Sequence, residues 1–185
     1  MHKLTHDEIA KKRYSLEQLS TETRNPICVL LENVRSLYNV GSIFRTSDGA
    51  RISKLILSGY TPHPPRKEIE KTALGATESV PWEYVKDPMS AISELKASGM
   101  NICVLEHTDR SVTYYSAAKK HFPLCLVVGN EITGVSKKII TSADMGIEIP
   151  MLGIKQSLNV AVAYGIAVFE LTRVWMNNEG KRSGS

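Results

Sequence analysis

Five short apolar runs separated by helix-like patterns constrain the fold of this chain more than any other feature. The runs are residues 27–31, 55–57, 102–105, 124–128 and 147–149. Each run is almost continuously apolar, which is typical of strands that are buried on both faces of a parallel sheet. Helical patterns fit between most of the runs. The sequence therefore predicts an α/β domain with a mostly parallel sheet covered by helices on both faces.

Three segments at strand-to-helix junctions carry polar residues that packing alone does not explain. The first, residues 33–48, places amides, a glycine and Arg45 in an otherwise core-like stretch. The second, residues 126–134, and the third, residues 149–159, each follow an apolar strand with glycine and small polar residues. Glycine lets the backbone turn tightly and lets a ligand approach it closely. Three such segments in one chain indicate one assembled site.

Taken in order, the three segments resemble the sequence motifs of the SpoU/TrmH family of RNA ribose 2′-O-methyltransferases, within the SPOUT class. The resemblance covers residues 26–175 and includes the linking segment 71–82. It implies methyl transfer from S-adenosylmethionine to a ribose 2′-hydroxyl, without a metal. It also implies a homodimer with sites completed across the interface, and a C-terminal deep trefoil knot. Knots are rare exceptions to general topology rules, so the resemblance alone supports the knot.

The resemblance also implies a set of cofactor-binding residues. The second and third motifs end strands and then bend through small residues, which exposes backbone donors and acceptors to a ligand such as an adenine. Tight turns alone would explain each glycine singly, but they explain the set poorly. The residues implied are Leu105, Gly129, Asn130, Ile149, Met151, Ser157, Leu158 and Asn159.

The catalytic group that the resemblance implies consists of Arg45, Asn39, Glu131, Ser157 and Asn159. Methyl transfer from a sulfonium donor requires donor binding, alignment of the acceptor with the methyl group, and handling of the acceptor's proton. Few charged side chains are needed for these tasks. The small set of charged residues in the three motifs fits this chemistry.

Arg45 has two possible catalytic roles. The matching arginine of the family is often described as a general base toward the ribose 2′-hydroxyl, yet a guanidinium is a poor base at neutral pH because it stays protonated. Alternatively, Arg45 holds the adjacent phosphate through two hydrogen bonds and orients the hydroxyl, while another group or water takes the proton. A structural ion pair with Asp48 or Glu131 is a third interpretation.

The final helix is predicted from Ser157 to about Val174, with Ser157 as its cap and with Asn159 satisfying nearby backbone groups. Asn39 is predicted to cap the helix of the first motif. Because the final helix is apolar around much of its circumference, we expect it to be deeply buried. Gly165 interrupts it at a cost of roughly 1 kcal/mol relative to alanine. Either another element packs closely against the backbone there, or the glycine is merely tolerated.

Basic residues near the N-terminus form one candidate RNA contact. A capping-box pattern predicts a short helix from about Asp7 that carries Lys11, Lys12 and Arg13. Contact with RNA phosphates and an ordinary solvated face explain this cluster equally well. The net charge of +4 permits an anionic partner without requiring one.

Two further cations, Arg66 and Lys67, form a second candidate RNA contact. They lie at a predicted helix start, where acidic residues are more usual. An ordinary exposed basic pair is the alternative. Trp82, Tyr84 and Tyr60 could stack on RNA bases, although packing in the core or in a dimer interface is the better explanation.

The chain is expected to have three parts: a basic helical extension at residues 1–24, a methyltransferase domain at residues 25–176 and a flexible tail at residues 177–185. The three cysteines lie unpatterned in apolar runs, which favours free thiols in a reducing compartment and disfavours zinc. The first residues lack the apolar region of a signal peptide, and no apolar stretch approaches the roughly 20 residues of a membrane span. A cytoplasmic protein is therefore expected.

Transfer RNA is the preferred substrate, because compact members of the family often act on it. Ribosomal RNA is an alternative. A catalytically silent RNA-binding or ribosome-assembly module is another, but such a module would have little reason to keep Arg45, Glu131, Ser157 and Asn159. A nucleotide-dependent enzyme is disfavoured because no G-x-G-x-x-G or P-loop pattern follows the first strand. Methylation of a base is disfavoured by the first motif.

Overall fold

A parallel sheet of seven strands lies at the centre of the computed structural model, which describes residues 1–11 and 14–177. The strands run in the spatial order β3-β2-β1-β6-β4-β7-β5, and every neighbouring pair is parallel. The predicted α/β fold is confirmed. The strands are β1 (Asn25–Glu32), β2 (Ile52–Ser58), β3 (Trp82–Val85), β4 (Asn101–Leu105), β5 (Val112–Thr113), β6 (Leu124–Val128) and β7 (Met145–Glu148).

Helices cover both faces of this sheet. One face packs against α3, α4, α5 and α8, and the other packs against α6 and α7. Along β1, Ile27, Val29 and Leu31 join the first core layer, while Cys28 and Leu30 join the second. Burial on both faces is the reason that this strand has a continuous apolar run. The helices are α1 (His6–Ala10), α2 (Leu16–Thr21), α3 (Leu37–Ala50), α4 (Lys67–Ala73), α5 (Ala76–Ser79), α6 (Pro88–Ala97), α7 (Lys137–Ser142) and α8 (Val160–Met176).

The contact between α3 and α4 depends on a glycine. A β-carbon at Gly41 would overlap the side chain of Thr72 and the carbonyl group of Ile69. The backbones of the two helices therefore approach more closely at this point than any larger residue allows. This contact fixes the helix that carries the first motif.

The N-terminal capping box is confirmed, but the helix that it starts is shorter than predicted. Glu8 and Thr5 exchange the expected hydrogen bonds, and α1 ends at Ala10. Lys11 follows the helix as its C-cap instead of lying on it. The predicted partners Lys12 and Arg13 lie outside the described residues, and so does most of the predicted tail.

The final helix begins later than predicted. Asn159 is its N-cap, because its side-chain oxygen accepts hydrogen bonds from the backbone N–H groups of Ala161 at 2.9 Å and Val162 at 3.4 Å. The prediction that Ser157 caps the helix is therefore wrong. Ser157 lies in the exposed segment between β7 and α8.

The final helix is also less buried than predicted. Tyr164, Val168 and Leu171 are buried against the sheet and α3, but another side is open. Val162, Phe169 and Met176 are each more than half exposed on that side. An apolar sequence thus covers both a core-facing and a solvent-facing side of α8.

Gly165 is not closely packed within this chain. A β-carbon at Gly165 would meet its nearest neighbour, the Thr46 methyl group, at an ordinary van der Waals distance of 3.8 Å. The interpretation that close packing of another element requires this glycine is not supported within the chain.

Cys28, Cys103 and Cys125 are free and buried. None of the described helices is long and apolar enough to cross a membrane.

Candidate active site

A cleft of about 270 Å³ lies where β4, β6 and β7 end. Its walls come from the loops that follow these strands and from the first turn of α8. The structure brings together all eight residues that were predicted to bind a cofactor. The cleft is lined by Leu105, Gly129, Asn130, Ile149, Met151, Ser157, Leu158 and Asn159, and also by Glu131.

A tight turn after β6 forms one wall of the cleft. The backbones of Asn130 and Gly134 exchange two hydrogen bonds, and the Asn130 side chain accepts from the N–H groups of Ile132 at 2.8 Å and Thr133 at 3.0 Å. A β-carbon at Gly129 would overlap the backbone of Gly134. Glycine at this position is therefore needed for the turn to fold back against the strand end.

Glu131 ties this turn to the start of α3. Its carboxylate accepts hydrogen bonds from the N–H groups of Arg35 at 2.9 Å and Ser36 at 3.0 Å, and from the side-chain amide of Asn39 at 3.0 Å. Partial burial acts to raise the pKa of Glu131, but these hydrogen bonds outweigh it, so the pKa is lowered. Glu131 is thus held as a carboxylate between the first and second motifs.

Asn39 connects all three motifs. Besides donating to Glu131, it accepts a hydrogen bond at 3.1 Å from the side-chain amide of Asn159. The prediction that Asn39 caps its helix is wrong. The cap is Ser36, whose hydroxyl accepts from the Asn39 N–H, because α3 begins two residues before Asn39. Asn39 uses its side chain to join the motifs instead.

Arg45 lies on α3, six residues after Asn39, and does not line the cleft. Its side chain is exposed and has no hydrogen-bond or ion-pair partner among residues 1–11 and 14–177. The predicted alternative of an ion pair with Asp48 or Glu131 is wrong. Asp48 accepts a hydrogen bond from Ser79, and Glu131 is occupied by the start of α3. The guanidinium is free to contact a ligand or another chain.

Sequence reasoning missed three polar residues of the cleft. Glu106 accepts from the N–H groups of His107 at 3.0 Å and Val135 at 2.9 Å, and the His107 Nδ1 lies 3.0 Å from the Glu148 carboxylate. Glu106 directly follows β4, and Glu148 is the last residue of β7. The carboxyl ends of parallel strands meet at the same edge of a sheet, where ligands bind. This rule could have identified both carboxylates.

The predicted RNA-binding residues lie apart from the cleft lining. Arg66 is the N-cap of α4 and makes no side-chain capping bond, and Lys67 is the first residue of that helix. Both are exposed, as is Lys11. These three cations are therefore accessible to an anion.

Comparison with known proteins places this site in a family. The model of the SpoU rRNA Methylase family matches residues 26–169. The chain is 33% identical over 166 residues to the tRNA (guanosine(18)-2'-O)-methyltransferase of Aquifex aeolicus. The aligned region covers 89% of this chain and 77% of that protein.

Solved structures agree with this assignment. The crystal structure of the A. aeolicus TrmH/SpoU tRNA modifying enzyme superposes with a TM-score of 0.79 at 33% identity, covering 89% of this chain and 84% of that one. The structure of an AdoMet-bound rRNA methyltransferase from Sinorhizobium meliloti superposes with a TM-score of 0.76 at 28% identity. The superposition covers 91% of this chain and 70% of that one. Several other curated relatives are longer, and the chain spans only 64% or 65% of their length. Because the three motifs meet at one cleft and the family model matches most of the chain, the chain belongs to the SpoU rRNA Methylase family.

Proposed function

We propose that this protein transfers a methyl group from S-adenosylmethionine to a ribose 2′-hydroxyl of RNA, with tRNA as the first substrate class to test. One observation carries the proposal. Asn39 joins Glu131 and Asn159 by hydrogen bonds of 3.0 and 3.1 Å, so the three motifs meet at the rim of one cleft. The tRNA methyltransferase from A. aeolicus, 33% identical over 89% of this chain, supports the choice of substrate.

The residues that line the cleft suit S-adenosylmethionine. The cleft volume of about 270 Å³ lies just below the roughly 300–1,000 Å³ found for small-molecule sites. Leu105, Ile149 and Leu158 supply apolar walls for an adenine, and Gly129 leaves the adjoining backbone open to its edge. Glu106 and Glu148 bring negative charge to a ligand that carries a sulfonium and an ammonium group. S-adenosylmethionine supplies an electrophilic methyl group when bound there.

The chain's own residues position the acceptor. Asn39 and Asn159 hold each other at the rim, and Glu131 fixes the helix start from which Asn39 projects. Ser157, exposed at the same rim, is available to contact either ligand. Arg45 then acts in one of two ways. Either its guanidinium first releases a proton and then accepts the proton of the 2′-hydroxyl, or it stays charged, binds the adjacent phosphate and orients the hydroxyl for another acceptor.

The protein is proposed to act as a homodimer formed through α8 and α3. Val162, Phe169 and Met176 recur every seven residues on α8, so they lie along one exposed side. The Phe169 ring packs beside Gly49 of α3, and Gly49 lies one helical turn from Arg45. A second copy seated on this apolar side would bury it and would bring Arg45 to a subunit boundary. Arg45 lies outside its own cleft, which fits a site completed across that boundary.

Three further features belong to this proposal. Residues 25–176 act as the methyltransferase domain and residues 1–24 as a basic extension, with a tail from residue 177. The C-terminal part forms a trefoil knot, supported by the return of the chain from β7, near one sheet edge, to α8, which packs on the central strands β1 and β6. The free, buried cysteines fit a reducing compartment such as the cytoplasm.

RNA is proposed to contact the exposed cations Lys11, Arg66 and Lys67, together with Lys12 and Arg13. Ribosomal RNA is the second candidate substrate, because an rRNA methyltransferase from S. meliloti matches 91% of the chain with a TM-score of 0.76. No group of three or more histidine, cysteine or acidic side chains among the described residues is arranged to hold a metal ion.

Transfer of labelled methyl from S-adenosylmethionine to bulk tRNA and, separately, to rRNA tests the proposal. Nucleoside analysis should find a 2′-O-methylnucleoside in one of the two pools. Asn159→Asp serves as the matched variant, because it removes the amide that donates to Asn39 and keeps an oxygen that can cap α8, and it should methylate RNA less than the native protein does. A methylated base as the product would contradict the proposed chemistry. Cofactor binding and RNA binding without any product would favour the silent RNA-binding module.

A further inference from the structure

Three aromatic side chains form an exposed patch beside the cleft. The patch consists of Tyr60 and His63 in the loop after β2, and Tyr84 on β3. Tyr60 is 61% exposed and Tyr84 is 41% exposed, and His63 is exposed as well. The sequence favoured packing of the two tyrosines in the core or in a dimer interface over stacking on RNA bases. The structure places both at the surface.

Hydrogen bonds and ring contacts hold these rings in place. The Tyr84 hydroxyl donates to the Gly59 carbonyl at 2.6 Å, and the Tyr84 and His63 rings lie 4.9 Å apart between centroids. His63 also stacks on Trp82, which meets the fully buried Phe44 edge to face. Consecutive ring contacts thus connect the buried Phe44 to the exposed Tyr84. Because the rings are anchored, a base that stacks on them would find them already ordered.

Tyr60 links the patch directly to the cleft. Its hydroxyl accepts a hydrogen bond at 3.0 Å from the side-chain amide of Asn130, and its backbone N–H donates to Asn33 at 3.1 Å. Asn130 lines the cleft, and Asn33 begins the first motif. The Tyr60 ring therefore stands at the border between the patch and the rim where the acceptor ribose is proposed to lie.

The charges around the patch suit a polyanion. Arg66 and Lys67 follow the same loop, and Lys86 lies two residues beyond Tyr84. None of these three cations has an ion-pair partner within the described parts of the chain, residues 1–11 and 14–177.

The acidic residues nearby are largely occupied. Glu83 pairs with Lys54 at 3.2 Å, Asp87 caps α6, and Glu70 accepts a hydrogen bond from Thr77. Glu68, in the first turn of α4, is exposed and is the acidic group left beside Arg66 and Lys67. Among the described residues, Arg66, Lys67 and Lys86 therefore form no ion pair with these carboxylates and remain available to phosphate groups.

We infer that Tyr60, His63 and Tyr84 form a stacking platform for an unpaired base of the substrate RNA, with Arg66, Lys67 and Lys86 binding its flanking phosphates. Aromatic faces beside unpaired cations are the combination by which proteins bind single-stranded RNA. The site selects RNA in which a nucleotide near the methylated ribose is unpaired. This inference rests on the proposed function, because it assumes that RNA enters the adjoining cleft.

Binding to a labelled, unstructured oligoribonucleotide of about 12 nucleotides tests the platform without requiring methyl transfer. Tyr60→Leu and Tyr84→Leu should each raise the dissociation constant roughly tenfold, because leucine has a similar bulk but no aromatic face. Tyr60→Phe and Tyr84→Phe keep the ring and should bind within about twofold of the native protein. Tyr115→Leu, which removes another exposed tyrosine outside the patch, should bind like the native protein.

Salt dependence separates stacking from charge. The leucine variants should keep the native slope of affinity against salt, whereas Arg66→Gln and Lys67→Gln should each reduce it by about 0.7. Native affinity in the leucine variants would overturn the platform. Equally weak binding by the phenylalanine and leucine variants would assign the effect to the hydroxyl hydrogen bonds instead of the rings. A change in oligomeric state would make the patch a contact between protein copies.

The outcome for the proposed function can be distinguished from the outcome for the platform. A native protein that binds the oligonucleotide through these rings but yields no methylated nucleoside would overturn the proposed function and keep the platform. A native protein that methylates RNA, with leucine variants that bind and turn over equally well, would overturn the platform alone.

Discussion

At the scale of single residues, the site depends on side chains that bind one another. Glu131 holds two backbone N–H groups and the Asn39 amide, and Asn39 in turn accepts from Asn159. The sequence identified these residues through their motif, but it assigned the capping roles wrongly. Asparagine and serine are similar as helix caps. Only the position at which the chain turns decides which residue becomes the cap.

Arg45→Ala should lower the turnover number for methyl transfer about 100-fold or more, because either role of Arg45 acts on the reacting hydroxyl. Cofactor affinity and the sedimentation coefficient should stay native, since the side chain has no partner among the described residues of its own chain. Single-turnover kinetics and calorimetric titration with S-adenosylmethionine measure the two effects.

Lys54→Ala is the control for this substitution, because it removes an exposed cation that pairs with Glu83 on the sheet surface. Its turnover number should remain native. A variant of Arg45 that no longer binds the cofactor, or that no longer forms the native oligomer, would show that the residue is structural.

At the scale of elements, two mid-helix glycines have opposite surroundings. Gly41 on α3 faces Thr72 and the Ile69 carbonyl of α4, whereas Gly165 on α8 has an open neighbourhood within the chain. The sequence shows a glycine in each helix and no more than that. A contact between elements that are distant in sequence decides whether the glycine is needed, and neither periodicity nor propensity carries that information.

Gly165→Ala should therefore stabilise the chain by about 1 kcal/mol, because alanine has the higher helix propensity and its methyl group meets only Thr46 at 3.8 Å. Gly41→Ala should destabilise it by about 1–3 kcal/mol through overpacking between α3 and α4. Denaturant unfolding of both variants measures these free energies. A destabilising Gly165→Ala would indicate that a second copy of the chain packs against that glycine.

At the scale of the whole molecule, sequence patterns predicted the central sheet better than its edges. The five predicted runs all overlap strands, and those of β1, β2 and β6 are fully buried, whereas β7 ends at Glu148 and leaves the predicted Ile149 outside the strand. The edge strands β3 and β5 were missed, since their residues are partly exposed and form no continuous apolar run. The convergence of three motifs on one cleft was predicted. The open side of α8 was not, because an apolar helix looks the same whether its own chain or a partner covers it.

Phe169→Lys should convert the proposed dimer to a monomer, because it places a charge in the middle of the apolar side of α8. We expect loss of methyl transfer together with dissociation in analytical ultracentrifugation. Val112→Lys, at the exposed edge strand, is the control and should keep the native mass. A Phe169→Lys variant that keeps the native mass would place the interface elsewhere.

The segment between β7 and α8 forms a cleft wall that its own core does not support. Leu152 is 98% exposed and Ile154 is 99% exposed, although the neighbouring Met151 and Ser157 line the cleft. In the proposed dimer, a second copy that covered these residues would make the wall rigid only in the assembled protein. Cofactor affinity and self-association would then be thermodynamically linked, so that each would strengthen the other by the same factor. Dilution would weaken cofactor binding even though no cofactor contact is altered.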